Sequence, residues 1–179
     1  MNKSQIRKKI LKIKKKNTYK NLKIDFQKIL KFLKTKNIKG KILGGYYSFN
    51  YEVDVLKILE DFERHHYTIT LPKIKKNYKM DFFKWSNNEP LCVNKYGIPE
   101  PVSNEIKFPD ILLVPLVAYD ENLNRVGYGG GFYDRYFKKI QNYKNIIKIG
   151  LAYSFQKVKT ISANKNDIKL NYIVTEKKN

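Results

Sequence analysis

"DILLVPLVAY", Asp110 to Tyr119, is an apolar run without polar alternation, the mark of a strand buried on both faces. The pattern returns in "IIKIGLAY", Ile146 to Tyr153, after a helical stretch from about Phe132 to Asn142. Strand, helix, strand in that order implies a right-handed crossover in a largely parallel sheet with helices on both sides. Ligands of such sheets gather beyond the carboxyl ends of the strands. At that end lies "NRVGYGGGFYDRYF", Asn124 to Phe137, which holds four of the chain's nine glycines between Gly127 and Gly131. A simple turn needs one or two glycines, and each weakens regular structure by roughly 1 kcal/mol relative to alanine. Four point to a backbone that must come close to something.

Outward from this block, Ile6, Ile10 and Ile13 recur at helical spacing behind Ser4, a candidate cap, with the lysines on the outer face. A second amphipathic stretch carries Leu22, Phe26, Ile29, Leu30 and Leu33 and ends in "NIKG" at Gly40. Next come a strand in "KILGGYYSF", a helix in "EVDVLKILEDFERHH" with Val55, Leu59 and Phe62 as its apolar stripe, and strands in "YTITLPKI" and "KMDFFKW". "YGIPEPVSNEI" reads as a proline-punctuated loop. The expectation is one three-layer α/β/α domain over residues 1–179 with a mostly parallel central sheet. Residues 1–36 form a helical segment packed on it, and 177–179 a loose tail.

The chain is 179 residues long with 42% hydrophobic and 14% aromatic content, which excludes a wholly disordered chain. No apolar run approaches the ~18 residues of a membrane helix. "MNKSQIRKKILKIKKK" lacks the apolar segment and cleavage site of a secretory signal. Cys92, the single cysteine, forms no internal disulfide, fits a reducing cytoplasm and reads as a packing residue. The net charge of +21 comes mostly from lysines spread along the sequence, with little arginine. That distribution describes a solvated lysine surface better than a specific nucleic-acid binder, and it draws in anionic small molecules either way. His65 and His66 end a helix, where cations suit the dipole, and Trp85 reads as a buried strand residue.

The glycine block is not a dinucleotide fingerprint, because Phe132 stands where G-x-G-x-x-G needs its last glycine, and no G-K-S or G-K-T follows. What remains is a run of glycines feeding a helix start, which can aim several N–H groups and the positive helix end at an anion. Arg125 flanks the loop. Asp134 falls in the first turn, where a carboxylate eases the dipole or holds magnesium against bound phosphates. From the residues alone two readings stand, a phosphate loop and a tight packed turn.

"PDILLVPLVAYDENLNRVGYGGGFYDRYF" closely resembles the signature of the 5-formyltetrahydrofolate cyclo-ligase family, also called methenyltetrahydrofolate synthetases. "KSQIRKKI", "GYYSFNYEVDVLKIL", "YGIPEP", "IGLAYSFQ" and "NKNDIKLNYIVTE" resemble its other segments in the right order. The resemblance implies a NagB/RpiA/CoA transferase-like fold. It also implies an enzyme that uses ATP and Mg2+ to close 5-formyltetrahydrofolate to 5,10-methenyltetrahydrofolate, by way of a phosphorylated formyl group, and the expectation is a cytoplasmic monomer. It assigns ATP contacts to Lys3, Ser4, Gln5, Ile6 and Arg7, and to Arg125, Val126, Gly127, Tyr128, Gly129, Gly130, Gly131, Phe132 and Tyr133. Tyr47, Glu52 and Tyr128 through Phe132 would contact the folate, and Asp134 and Asp167 would bind the metal. Arg125, Tyr128 and Asp134 are the implied catalytic residues. Read alone, Glu52 is a helix N-terminal acid and Asp167 a loop residue. Asn166 stands where many members have histidine, and Leu116 where glycine is common.

Overall fold

All five residues of the run at 111–115 are buried, and they form a strand inside the sheet. The computed structural model describes residues 1–16, 22–49 and 51–177. In chain order they form α1 (Lys3–Lys15), α2 (Phe26–Thr35), β1 (Ile42–Gly44), α3 (Leu56–Arg64), β2 (Thr68–Ile74), β3 (Met80–Lys84), β4 (Leu91–Val93) and β5 (Pro99–Pro101). There follow β6 (Ile111–Pro115), β7 (Ala118–Tyr119), β8 (Arg125–Val126), α4 (Phe132–Ile140), β9 (Ile147–Leu151) and β10 (Tyr172–Val174).

Six strands make one sheet in the order β10–β9–β6–β1–β2–β3. Every pairing is parallel except β2 with the edge strand β3. Ile111 and Leu113 join a cluster with Ile29 and Leu33 of α2 and Leu59 and Phe62 of α3. Leu112 and Val114 join Tyr136, Phe137 and Ile140 of α4 in another. Helices thus cover both faces, which is why the strand shows no polar alternation. Burying each such side chain contributes about 1.5–3 kcal/mol. The three-layer, mostly parallel architecture expected from the sequence is the one observed.

Helix α1 packs Ile6 and Ile10 on Val117, Ala118, Val126 and Ile161, above the two-stranded β7–β8 pair that follows β6. Its cap is Asn2 rather than Ser4: the Asn2 side chain accepts from the Gln5 N–H while Gln5 Oε1 accepts from the Asn2 N–H, a reciprocal box that satisfies two otherwise orphan donors. Nor do all its lysines face outward, because Lys14 is fully buried. Leu22 lies before α2, which Asp25 caps. The helix stops at Thr35, where Asn37 takes φ 50° and the Ile38 N–H returns to the Leu33 carbonyl. Gly40 is no helix stop; a Cβ there would lie 2.2 Å from that of Asp110, so the glycine permits a close approach.

The proline-punctuated segment is not all loop. Pro99, Glu100 and Pro101 pair antiparallel with Val93, Cys92 and Leu91, a short edge ribbon that tolerates prolines lacking N–H groups. Asn94 Oδ1 accepts from the Tyr96 and Ile98 N–H groups, and Gly97 has φ 75°, which together close the turn. Cys92 is exposed on this hairpin rather than packed. Trp85 is buried, with its indole donating to the Glu89 carbonyl at 3.1 Å. His65 follows the last residue of α3 as its cap. Among the described residues no helix is long and apolar enough to cross a membrane. Of the expected loose tail, residues 178 and 179 lie outside the described residues.

Candidate active site

A cavity of ≈ 830 Å³ is walled by the glycine turn, Lys3 and Arg7 of α1, Tyr47 and Glu52 after β1, the β4–β5 hairpin, and Asp167. The spacing of four between Lys3 and Arg7 sets both on the cavity side of α1. Helical rotation carries Ser4 and Gln5 into solvent and Ile6 into the core, so none of the three lines the cavity.

Gly129 has φ 114° and Gly131, the N-cap of α4, has φ 64°; both lie in the left-handed region that favours glycine. The Gly127 carbonyl accepts from Arg7 Nε at 2.8 Å, and the Gly130 carbonyl from Arg135 Nη2 at 2.6 Å. In a trans peptide the C=O and the next N–H point opposite ways, so the Gly131 N–H is directed away from Arg135. Among the described residues, no protein acceptor meets the N–H groups of Gly127, Gly129, Gly130 or Gly131. No side chain caps α4, whose first-turn N–H groups therefore lack intrahelical partners. The tight-turn reading holds at Gly130, where a Cβ would meet the Phe132 ring at 2.7 Å. Packing alone does not explain the row of open donors.

Arg125 does not reach freely into the cavity. Its buried guanidinium donates to Asp134 Oδ1 at 2.8 Å, and the Ile168 N–H donates to the same oxygen at 3.2 Å. Arg125 Nε is buried with no partner. Lys3 Nζ donates to Asp167 Oδ2, which also accepts from the Asn164 N–H. Partial burial pushes the Asp167 carboxyl up, but Lys3, the Asn164 N–H and the Arg125 charge outweigh it and hold the group below its ordinary value. Among the described residues no three His, Cys, Asp or Glu side chains gather as a metal cluster. Asp134 and Asp167 line the same cavity, and no hydrogen bond among the described residues engages Asp134 Oδ2 or Asp167 Oδ1. Two carboxylates beside the glycine turn are the kind of donor set that magnesium accepts when substrate and water supply the other oxygens. Asn166 accepts from Lys138 Nζ.

Glu52, which follows β1 on the same cavity wall, is no helix N-terminal acid, since α3 starts at Leu56 with Val55 as its cap. Glu52 Oε2 accepts from the Phe49 N–H at 2.9 Å. Burial raises its carboxyl from 4.5 to about 7, opposed by the Phe49 N–H and the Lys14 charge. Tyr46 and Tyr133 lie around it. Burial first, then Glu52, raises Tyr46 and Tyr133 far above the ordinary phenol range. The Tyr46 hydroxyl donates to the Val53 carbonyl at 3.0 Å, whereas the buried Tyr133 hydroxyl has no partner.

Sequence reasoning missed the hairpin residues Tyr96, Ile98 and Glu100 on the cavity wall, and Lys14, which is buried behind the Tyr51 and Tyr128 segments. Lys14 follows Ile10 by four and so shares its inward face, a signal hidden by the surrounding lysines. Glu100 sits between two prolines and is buried, with Oε1 accepting from the Ile74 N–H and Asn94 Nδ2. Nothing local in the sequence distinguishes it from a loop acid.

A mostly parallel sheet, a glycine turn with open amides feeding a helix, and flanking cations and carboxylates define an α/β enzyme whose cavity is built for an anionic small molecule. The sequence profile described as the 5-formyltetrahydrofolate cyclo-ligase family matches residues 1–176, and the chain belongs to that family of ligase enzymes. It is 34% identical over 140 residues to the 5-formyltetrahydrofolate cyclo-ligase of Haemophilus influenzae, covering 74% of each chain. The 5,10-methenyltetrahydrofolate synthetase structure from Aquifex aeolicus is similar at TM-score 0.78 and 29% identity, covering 99% of this chain and 91% of that one. The synthetase structure from Mycoplasma pneumoniae is similar at TM-score 0.72 and 26% identity, covering 99% and 100%.

Proposed function

We propose that this enzyme converts 5-formyltetrahydrofolate and ATP into 5,10-methenyltetrahydrofolate, ADP and phosphate. The observation that carries the reading is the row of open glycine amides beside Lys3, Arg7 and the two carboxylates Asp134 and Asp167. Ring closure requires the N10 amine to attack the formyl carbon and expel its oxygen, a poor leaving group. Transfer of the terminal phosphoryl group of ATP to that oxygen gives an iminium phosphate. N10 then bonds to the carbon, loses its proton, and phosphate departs with the formyl oxygen.

Phosphoryl transfer asks the protein chiefly for positioning and charge stabilisation, which suits this chain's residues. The turn amides and the first-turn N–H groups of α4 grip phosphate oxygens. Lys3 and Arg7 add positive charge from α1. Arg7 also anchors the turn through the Gly127 carbonyl, and Arg125 keeps Asp134 oriented. Tyr128 to Phe132 lie where the two substrates meet, and Glu52 and Tyr47 hold the folate. Asp134 and Asp167 would hold Mg2+, which when bound offsets phosphate charge. The reading is of a monomer acting on small molecules. The test is incubation of purified protein with ATP, magnesium and 5-formyltetrahydrofolate while following the near-ultraviolet absorbance of the methenyl product. Growth of that band with one ADP per product is expected, and its absence overturns the reading.

A further inference from the structure

Lys14 is buried at 0% exposure in a helix otherwise rich in surface lysines. Such burial of an ammonium is costly unless the group is paired and hydrogen-bonded. Its Nζ donates to the Tyr51 carbonyl at 3.1 Å, to the Tyr128 hydroxyl at 3.4 Å and to the Leu116 carbonyl at 3.5 Å. These acceptors belong to three segments: the chain entering Glu52, the glycine turn, and the end of β6. Tyr51 is a non-glycine residue at φ 66°, a conformation that surrounding contacts must hold. The Lys14 bond falls on the very peptide that carries Glu52.

We propose that Lys14 is a positioning residue that ties the segment entering Glu52 to the glycine turn at Tyr128 and supplies the counter-charge for the Glu52 carboxylate. No ion pair joins the two groups, so the charge acts through space. The groups facing Glu52 are Lys14 from α1, the Phe49 N–H from its own segment, Tyr46 beyond β1 and Tyr133 from α4. Among the described residues, Lys14 is the one cation acting on Glu52. Burial, partly offset by Glu52, lowers Lys14 itself from 10.5 to about 8. The carboxylate and the ammonium therefore support each other's charged forms near neutral pH.

The test compares wild type, Lys14→Met and Lys14→Arg by carbon-13 NMR titration of the Glu52 carboxyl, with circular dichroism as the check of folding. In Lys14→Met the Glu52 midpoint is expected to rise by about 1 pH unit, as when a nearby opposite charge is removed. Lys14→Arg returns it towards wild type. The KM for 5-formyltetrahydrofolate rises about tenfold in Lys14→Met, the factor carried by one lost charge-assisted bond, while the KM for ATP changes less. An unmoved Glu52 midpoint in folded Lys14→Met, or no recovery in Lys14→Arg, overturns the inference. If Lys14→Met does not fold, Glu52→Gln serves reciprocally. The Lys14 amine midpoint then falls in nitrogen-15 NMR, and an unmoved one overturns the inference. Only the kinetic arm rests on the proposed folate role of Glu52. Failure of wild type to form methenyl product overturns that role and leaves the titration standing, whereas an unmoved titration in active enzyme overturns the Lys14 inference alone.

Discussion

Arg125 Nη2 donates to Asp134 Oδ1 at 2.8 Å beneath the glycine turn, with the arginine side chain 5% exposed and the aspartate 24%. Removing the aspartate charge leaves a buried guanidinium short of its partner. Fully buried pairs lose about 3–5 kcal/mol on such a change. Asp134 is partly solvated, so Asp134→Asn is expected to cost about 1–2 kcal/mol in urea unfolding. Turnover should fall about 100-fold or more, on the scale of losing a group that stabilises transition-state charge. Near-normal turnover at limiting magnesium would contradict the metal role.

Lys3 spans from α1 to Asp167 at the cavity edge. Lys3→Ala removes a cavity-lining cation and releases Asp167. The KM for ATP is expected to rise about tenfold, as for one lost bond to a charged group. The KM for 5-formyltetrahydrofolate should stay within about twofold, because uniform binding of that substrate is untouched. Steady-state kinetics with each substrate varied in turn checks this, and equal rises in both would count against phosphate contact.

Gly129 at φ 114° has room for a methyl group, whose nearest neighbour would be Arg7 Cζ at 3.8 Å. The penalty of Gly129→Ala is therefore conformational, roughly 1–3 kcal/mol. It falls on the backbone that aims the open amides. A loss of kcat/KM for ATP of about tenfold or more is expected, since strain of that size spans one to two powers of ten. Gly127→Ala is the control. Its φ is ordinary and its Cβ would meet only the tip of the Arg125 side chain at 3.2 Å, so a smaller loss is expected. An equal loss in both variants would argue that bulk, not conformation, matters.

Glu52 rises from 4.5 to about 7 on folding, chiefly through burial. A carboxyl raised in this way favours the fold while protonated, so its contribution is full below pH 4.5 and is lost as pH climbs through about 7. Lys14 is lowered to about 8 from 10.5. Its contribution is present above 10.5 and lost as pH falls through about 8, a separate window. Glu52→Gln has no titration at this position. Its unfolding free energy relative to wild type should therefore climb across the lower window, and a flat difference would show that Glu52 titrates normally.

The sheet and its flanking helices were legible because periodicity reports burial. Ile111 to Val114 alternate between two covered faces, and the stripe of Val55, Leu59 and Phe62 marked α3. The capping was less legible: Asn2 and Ser4 are both competent caps, and only the reciprocal bond from Gln5 decides between them. Within the site, the resemblance at Lys3, Arg7 and the glycine turn named residues that the fold brings to one cavity. It also named Ser4, Gln5 and Ile6, which helical rotation turns away. Lys14 and Glu100 were illegible for a common reason. Each is a charged residue in a segment that looks solvated, buried by tertiary partners more than 20 residues distant, Tyr128 and Ile74 respectively.

The most direct measurement follows the formyl oxygen of the substrate. With oxygen-18 in the formyl group of 5-formyltetrahydrofolate, a single turnover with ATP and magnesium should deliver the label into inorganic phosphate, as the proposed transfer of the terminal phosphoryl group to that oxygen requires. Label appearing in water, with unlabelled phosphate and normal methenyl product, would contradict phosphoryl transfer to the formyl group at this site.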